Sequence, residues 1–316
     1  MTATATWHRP LLWLAAAMGL LAVVTTIGAI VDPREVLGTN LWFKPLKFAI
    51  SIAIYSVSLS WLLSLLQRRK RFFWMLGTVS VIGLVAEIII IVAAAALGGT
   101  SHFNVATPFN TAMWTVMAAS ITVVWAIVFI VSIALFRADL GDRARTVAIR
   151  GGAVLAVVGM GLAFLMTSPN AQQLADFQGI AGAHAVGVAD GGAGLPLLGW
   201  STVAGDLRIP HFVGMHALQF FPLLALGLEL ASRRLTLLRS AEVRRRVIWV
   251  SLVTFVATMA VLTWQALSAQ SIVQPSGAIL ATGIAVAVAA SIGFVLAVAL
   301  PVREPAPSEI EYEIVS

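Results

Sequence analysis

The sequence predicts an all-α, polytopic integral membrane helix bundle, and three observations carry that reading. Of its 316 residues 59% are hydrophobic and only 11% are charged, with a mean hydropathy of +0.95. For such a composition lipid, not water, is the natural solvent. The apolar residues fall into eight separate runs, each close to the roughly 20 residues that a helix needs to cross a bilayer. The basic residues sit in the short connections between those runs. Topology accounts for that placement, so the net charge of +6 does not point to a nucleic-acid partner; the lipid bilayer is the expected one.

The runs occupy about 11–31, 43–66, 72–97, 110–136, 148–167, 210–231, 246–268 and 278–301. The first is long, has only Arg9 before it, and ends IGAIVDP without a small-x-small cleavage site, so it reads as a first spanning helix and not as a signal peptide. No soluble domain fits between the runs. Residues 1–302 therefore form a single transmembrane bundle, with 168–209 as a candidate lid and 303–316, ending SEIEYEIVS, as an acidic tail. With no cysteine in the chain, disulfides, thiolate metal sites and cysteine nucleophiles are excluded. No phosphate-binding loop, GxSxG or HExxH occurs.

Alternate connections hold sixteen of the twenty lysines and arginines, among them QRRKR at 67–71 and the cluster at 233–246. The positive-inside rule assigns these connections and both termini to the cytoplasm, where the basic clusters read as solvated ends in contact with anionic lipid. Arg34, Lys44, Lys47 and Arg208 are the exceptions, falling on the outer side. Pro45, Pro108, Pro210 and Pro275 lie at or near the starts of the four helices that run inward, as expected for a first turn with free N–H groups. Four positive helix ends would then face outward.

Helical spacing gathers the polar residues into stripes: Lys44, Lys47, Ser51, Tyr55 and Ser58; Ser80, Gly83 and Glu87; Ser251, Thr254, Thr258 and Gln265. Such stripes line a bundle interior or a wet cavity, or else their hydroxyls bond their own backbone. Glu87 stands apart. At 1.5 Å per residue it lies roughly 15 Å below the outer boundary, where a carboxylate is costly unless neutral, paired or hydrated. Lys47 starts from roughly 6 Å depth and could reach inward on its long stem.

The stretch RIPHFVGMHALQ at 208–219 carries two histidines five residues apart. They differ by about 140° around a regular helix, so they cannot clamp one metal as an i, i+4 pair would. His216 shares a face with Gln219, His211 with Arg208 and Met215. Pro222 is the expected point of helix loosening. Outside the spans, His102 and Asn104 precede the fourth run, and Met113, Met117, Met166 and Met215 fall in the outer half, thioethers that would suit copper(I). In the long outer segment, SPNAQQLADF reads as a short capped helix. The Gly-rich remainder leaves His184 solvated, and Asp206 would pair with Arg208 or cap the next helix.

Three stretches, KPLKF at 44–48, SHFN at 101–104 and GDLRIPHFVGMHALQ at 205–219, resemble those of a group of bacterial polytopic membrane proteins, and the resemblance extends over most of the membrane-embedded chain. It implies a multi-pass membrane fold and carries no activity, cofactor or catalytic residue with it.

Three functions are compatible with these residues. In the first, His102, His211 and His216 hold a transition metal (copper, zinc or iron) or a haem for redox chemistry, with Glu87, Lys47 and His216 as catalytic groups. Lys44, Tyr55, Asn104, Arg208, Gln219 and Gln265 would then bind a small molecule or ion arriving from the outer side. The second is a proton-coupled transporter or channel that uses Glu87. The third is a receptor, sensor or assembly subunit that binds a lipophilic ligand under the lid.

Overall fold

The computed structural model describes residues 6–302. The acidic tail expected at 303–316 lies outside the described residues. Each of the eight apolar runs is a helix: α1 (Arg9–Val31), α2 (Phe43–Leu65), α3 (Lys70–Ala96), α4 (Pro108–Leu135), α5 (Arg143–Gly161), the broken pair α7 (Arg208–Met215) and α8 (Ala217–Ala231), α9 (Ala241–Leu267) and α10 (Gly277–Ala299). Seven are long and apolar enough to cross a membrane, or eight when the broken pair counts as one span. The chain is thus an all-α, multi-pass membrane bundle. A 3-10 turn, Leu162–Met166, extends α5.

Two groups of helices make the bundle. In one, α1 packs on α2, α2 on α3 and α3 on α4; in the other, α5 packs on α7, α8 and α9, with α10 laid along α9 and α4 joining the groups through α5. Leu59, Val124, Val128, Leu135 and Ile149 lie in the first core, and Phe221, Ile248 and Leu252 in the second. The outer faces of α1 and α10 carry exposed apolar side chains such as Trp13, Leu20, Ile284 and Val295. In water such faces would be unstable; in lipid they need no cover.

A glycine pair lets α5 and α7 approach closely. A Cβ on Gly159 would overlap the Gly214 backbone, and one on Gly214 would overlap Gly159, so α5 and α7 touch backbone to backbone. The break between α7 and α8 falls at His216, where the chain bends by 41°. Pro222, the expected site of loosening, sits inside α8 instead.

The two ends of the bundle differ. One carries the long connections. A two-stranded ribbon, β1 (Glu35–Val36) and β2 (Thr39–Asn40), turns at Leu37 and Gly38, both with positive φ, as a tight hairpin demands. The 167–207 segment begins with α6 (Ala171–Ala175), held by an Asn170/Gln173 capping box. It then adds β3 (Ala185–Val186), paired antiparallel with β4 (Gly205–Asp206) at the start of α7. We call this the loop-rich end.

The opposite, arginine-rich end is built by ion pairs and caps. Asp142 caps α5 and accepts from Arg244, whose guanidinium also reaches the carbonyls of Leu238 and Arg239. Arg145 forks onto Glu229, and Arg150 donates to the carbonyls of Leu135 and Ala138. Arg244 is 9% exposed, which corrects the expectation that the whole 233–246 cluster is solvated. It is a buried tie between turns.

Candidate functional site

The centre of the loop-rich end is His102. The 98–107 connection dips into the bundle, fixed by a bridge between Asn104 and Ile180 and by Ala181 donating to the Phe103 carbonyl. Asn104 itself shapes that loop: its Oδ1 accepts from Ala106 N and Asn110 Nδ2, and its Nδ2 donates to Thr100. The imidazole of His102 is thereby inserted among Phe48, Phe103 and Trp114.

Its two ring nitrogens meet different partners. Nδ1 lies 3.0 Å from Lys44 Nζ and 3.0 Å from Ser101 Oγ; Nε2 lies 3.8 Å from Glu87 Oε1. With the Lys44 ammonium donating to Nδ1, the ring proton belongs on Nε2 and faces the carboxylate. Burial first, then the charges of Lys44 and His184, hold His102 well below its ordinary value of 6.5. The ring is neutral at rest.

Glu87 is 3% exposed, and its Oε2 has no hydrogen-bond partner among the described residues; nor do the buried hydroxyls of Tyr55, Ser56 and Ser80. Unpaired groups at this depth carry a desolvation penalty, and a side chain kept there against that penalty is a candidate for function. Lys47, expected to approach Glu87, donates instead to the Leu198 carbonyl at 2.7 Å. Its neighbour one turn earlier, Lys44, makes the approach through His102.

Beside this centre stands a second acid–base pair. His184 packs against the Phe103 ring at 4.8 Å, with its centroid 6.4 Å from that of His102. Its Nδ1 lies 2.6 Å from Asp190 Oδ2. The expectation of a solvated His184 is therefore corrected: the Gly-rich tract folds back, and Asp190 gathers the backbone N–H groups of His184 and Ala185. Burial lowers His184 more than Asp190 raises it. Burial alone would raise Asp190, but the His184 hydrogen bond, its charge and the two backbone donors outweigh it, and Asp190 is lowered. The sequence does not single out Asp190; its one signal is a lone carboxylate six residues after a histidine in a turn-rich stretch.

A third knot closes the 167–207 segment onto α7. Asp206 is 1% exposed and accepts from Ser201 N, Arg208 N and the Arg208 guanidinium, the shortest contact being 2.5 Å. Arg208 also donates to the Gly199 carbonyl at 2.6 Å. The pairing of Asp206 with Arg208 is as expected. The segment is held shut by these bonds and by Lys47.

The remaining site candidates go elsewhere. His211 Nδ1 donates to the Gly159 carbonyl at 2.9 Å. His216 Nδ1 meets Gln219 Oε1 at 3.2 Å, and Gln219 Nε2 donates to Ser58 on α2 at 3.1 Å, so this pair ties the two helix groups together. Gln265 donates to the Ser271 carbonyl within the α9–α10 turn. His102, His211 and His216 are each engaged separately, and among the described residues no three His, Asp or Glu side chains are grouped so as to hold a metal ion. Met117 and Met166 are buried in packing positions.

Compared with protein families, with curated proteins and with solved structures, the chain shows no match.

Proposed function

We propose that this membrane protein moves protons, as a proton-coupled transporter or channel in which Glu87 is the carrier and His102 links it to the loop-rich end. The observation that carries the reading is the placement of the His102 ring between Lys44 and Glu87. An imidazole so placed, with the 3.8 Å gap to Glu87 closed by one bridging water or a small ring shift, can pass its Nε2 proton to the carboxylate while taking one on Nδ1 from the Lys44 ammonium. The transfer leaves a neutral amine and a neutral carboxyl, so no net charge is created in a poorly solvated region. The His184–Asp190 pair supplies the next acid–base group toward the loops. By the positive-inside distribution of lysines and arginines, the loop-rich end faces outward.

The same geometry disfavours the metal and haem reading. A ligating histidine presents a bare nitrogen to the metal and donates from the other to an acceptor. Here an ammonium donor occupies Nδ1, which leaves the proton on the nitrogen that would have to bind.

The test is proton flux in liposomes holding purified protein and an interior pH-sensitive dye, driven by a potassium diffusion potential. The wild type should acidify or alkalinise the lumen faster than protein-free vesicles, and Glu87→Gln should remove most of that flux, about 10²-fold for a lost acid–base group. Equal rates in the two proteins would overturn the reading.

A further inference from the structure

We infer that His8, in the wall of a cavity at the arginine-rich end, is the far terminus of the path that starts at His102 and Glu87, with Ser80 and Tyr55 between them. This rests on the proton reading above and names the residues that complete it.

The polar groups lie along one seam, where α3 faces α1 and α2. Glu87 and Ser80 are seven residues apart on α3 and share a face, a separation of about 10 Å. Tyr55 stands across the seam, about 18 Å from the start of α2. Glu87 lies about 14 Å and Ser80 about 24 Å from the end of α3 at the loop-rich end, and the tyrosine hydroxyl reaches the level of Ser80. Its hydroxyl faces that of Ser80, yet the two are too far apart for a full hydrogen bond, and with Oε2 of Glu87 both are buried and otherwise without partners among the described residues. Their unused donor and acceptor capacity is what a relay through bridging water requires.

Below Ser80, His8 enters the same seam from the start of α1. It is 3% exposed. Its backbone N–H donates to Ser60 Oγ at 2.9 Å; its Nε2 lies 3.0 Å from the Trp74 carbonyl and 3.3 Å from Thr78 Oγ1. Nδ1 accepts from Leu11 N, so the ring is neutral with its proton on Nε2. Burial, outweighing the bond to Trp74, lowers it from 6.5, in keeping with a group that takes a proton only in passing.

His8 also borders a cavity of about 60 Å³ whose polar wall is Thr6, Ser64, Gln67 and Lys70. That volume suits about two waters. The cavity lies at the end of the bundle opposite His102, so the polar groups cover the depth of the helices from end to end. Each step moves one proton between oxygen or nitrogen lone pairs, and nothing is oxidised or reduced.

The test uses the full-length protein in the same liposomes. His8→Asn keeps a helix-capping side chain but has no basic ring nitrogen, and together with Tyr55→Phe it should lower proton flux about tenfold or more. His8→Ala should lose flux in the same way and regain it when imidazole is added to the medium, a rescue that a purely structural role would not show. If His8→Asn and Tyr55→Phe conduct like the wild type while Glu87→Gln does not, the terminus is wrong and the Glu87 reading stands. If Glu87→Gln also conducts normally, both fall. Absence of imidazole rescue in a folded His8→Ala protein would likewise overturn the assignment to His8.

Discussion

His102 Nε2 stands 3.8 Å from Glu87 Oε1, and the other nitrogen of the same ring is held by Lys44 at 3.0 Å. A loop residue, a helix start and a mid-helix acid are thus joined through one imidazole. The first expectation concerns the member that supplies the proton. Lys44→Gln keeps an N–H donor for Nδ1 but has no proton to transfer, so dye-monitored flux should fall about 10²-fold while the folded protein elutes and melts as the wild type does. Wild-type flux in Lys44→Gln would mean that the lysine only orients the ring.

The histidines also set a pH dependence of stability. His102 and His184 are lowered from 6.5 in the folded state, so below 6.5 the unfolded chain takes up protons that the folded chain refuses. Stability therefore falls as pH drops from about 6.5. Asp190, lowered from 3.8, contributes stability that is present above 3.8 and is lost only below it. Melting temperature in detergent should accordingly decline between pH 7 and pH 5, and His102→Asn should flatten that decline. In Glu87→Gln, where the buried carboxyl no longer takes up a proton of its own, a melting temperature that rises toward pH 5 would contradict the buried neutral rings.

The Asp206–Arg208 knot should behave as the clasp of the loop segment. Asp206→Ala removes a nearly inaccessible carboxylate that serves two backbone donors and one guanidinium. The cost should be about 2 kcal/mol, below the about 3–5 of a fully buried pair because Arg208 keeps part of its hydration. Limited proteolysis should report it as faster cleavage within 187–199, with the helices intact. Unchanged cleavage would show that Lys47 and the strand pair close the segment unaided.

Helix approach gives a paired test. Gly159→Ala places a methyl group where the Gly214 backbone already lies, and should cost several kcal/mol or prevent a stable fold. Gly227→Ala, on a face with nothing within 4 Å, should be neutral or stabilise by up to about 1 kcal/mol. The two melting temperatures should therefore move apart.

The spans were legible because about twenty apolar residues in a row have one economical solution in lipid. Glu87 was legible because an acid inside such a run has no other excuse. Which cation answers it was not. Lys44 and Lys47 lie on one face, and the choice between them depends on how deeply the 98–107 loop inserts and on where Leu198 presents its carbonyl. His184 and Asp190 were hidden because Gly-rich chain gives no period, and their meeting depends on Leu207 donating to the His184 carbonyl. The sequence points to Pro222 and not to the bend at His216, because no local breaker marks the latter. The contacts of His211 and Gly214 with Gly159 draw α7 toward α5, and that is a tertiary pull invisible to local rules.

The most direct measurement is the infrared carboxyl C=O band of Glu87, followed through a pH titration in reconstituted membranes. The wild type should show a protonated-carboxyl band that changes with pH, that is missing in Glu87→Gln, and whose exchange with deuterium slows in His102→Gln. A carboxyl signal that persists unchanged in Glu87→Gln, or a Glu87 band whose exchange ignores the loss of His102, would contradict it.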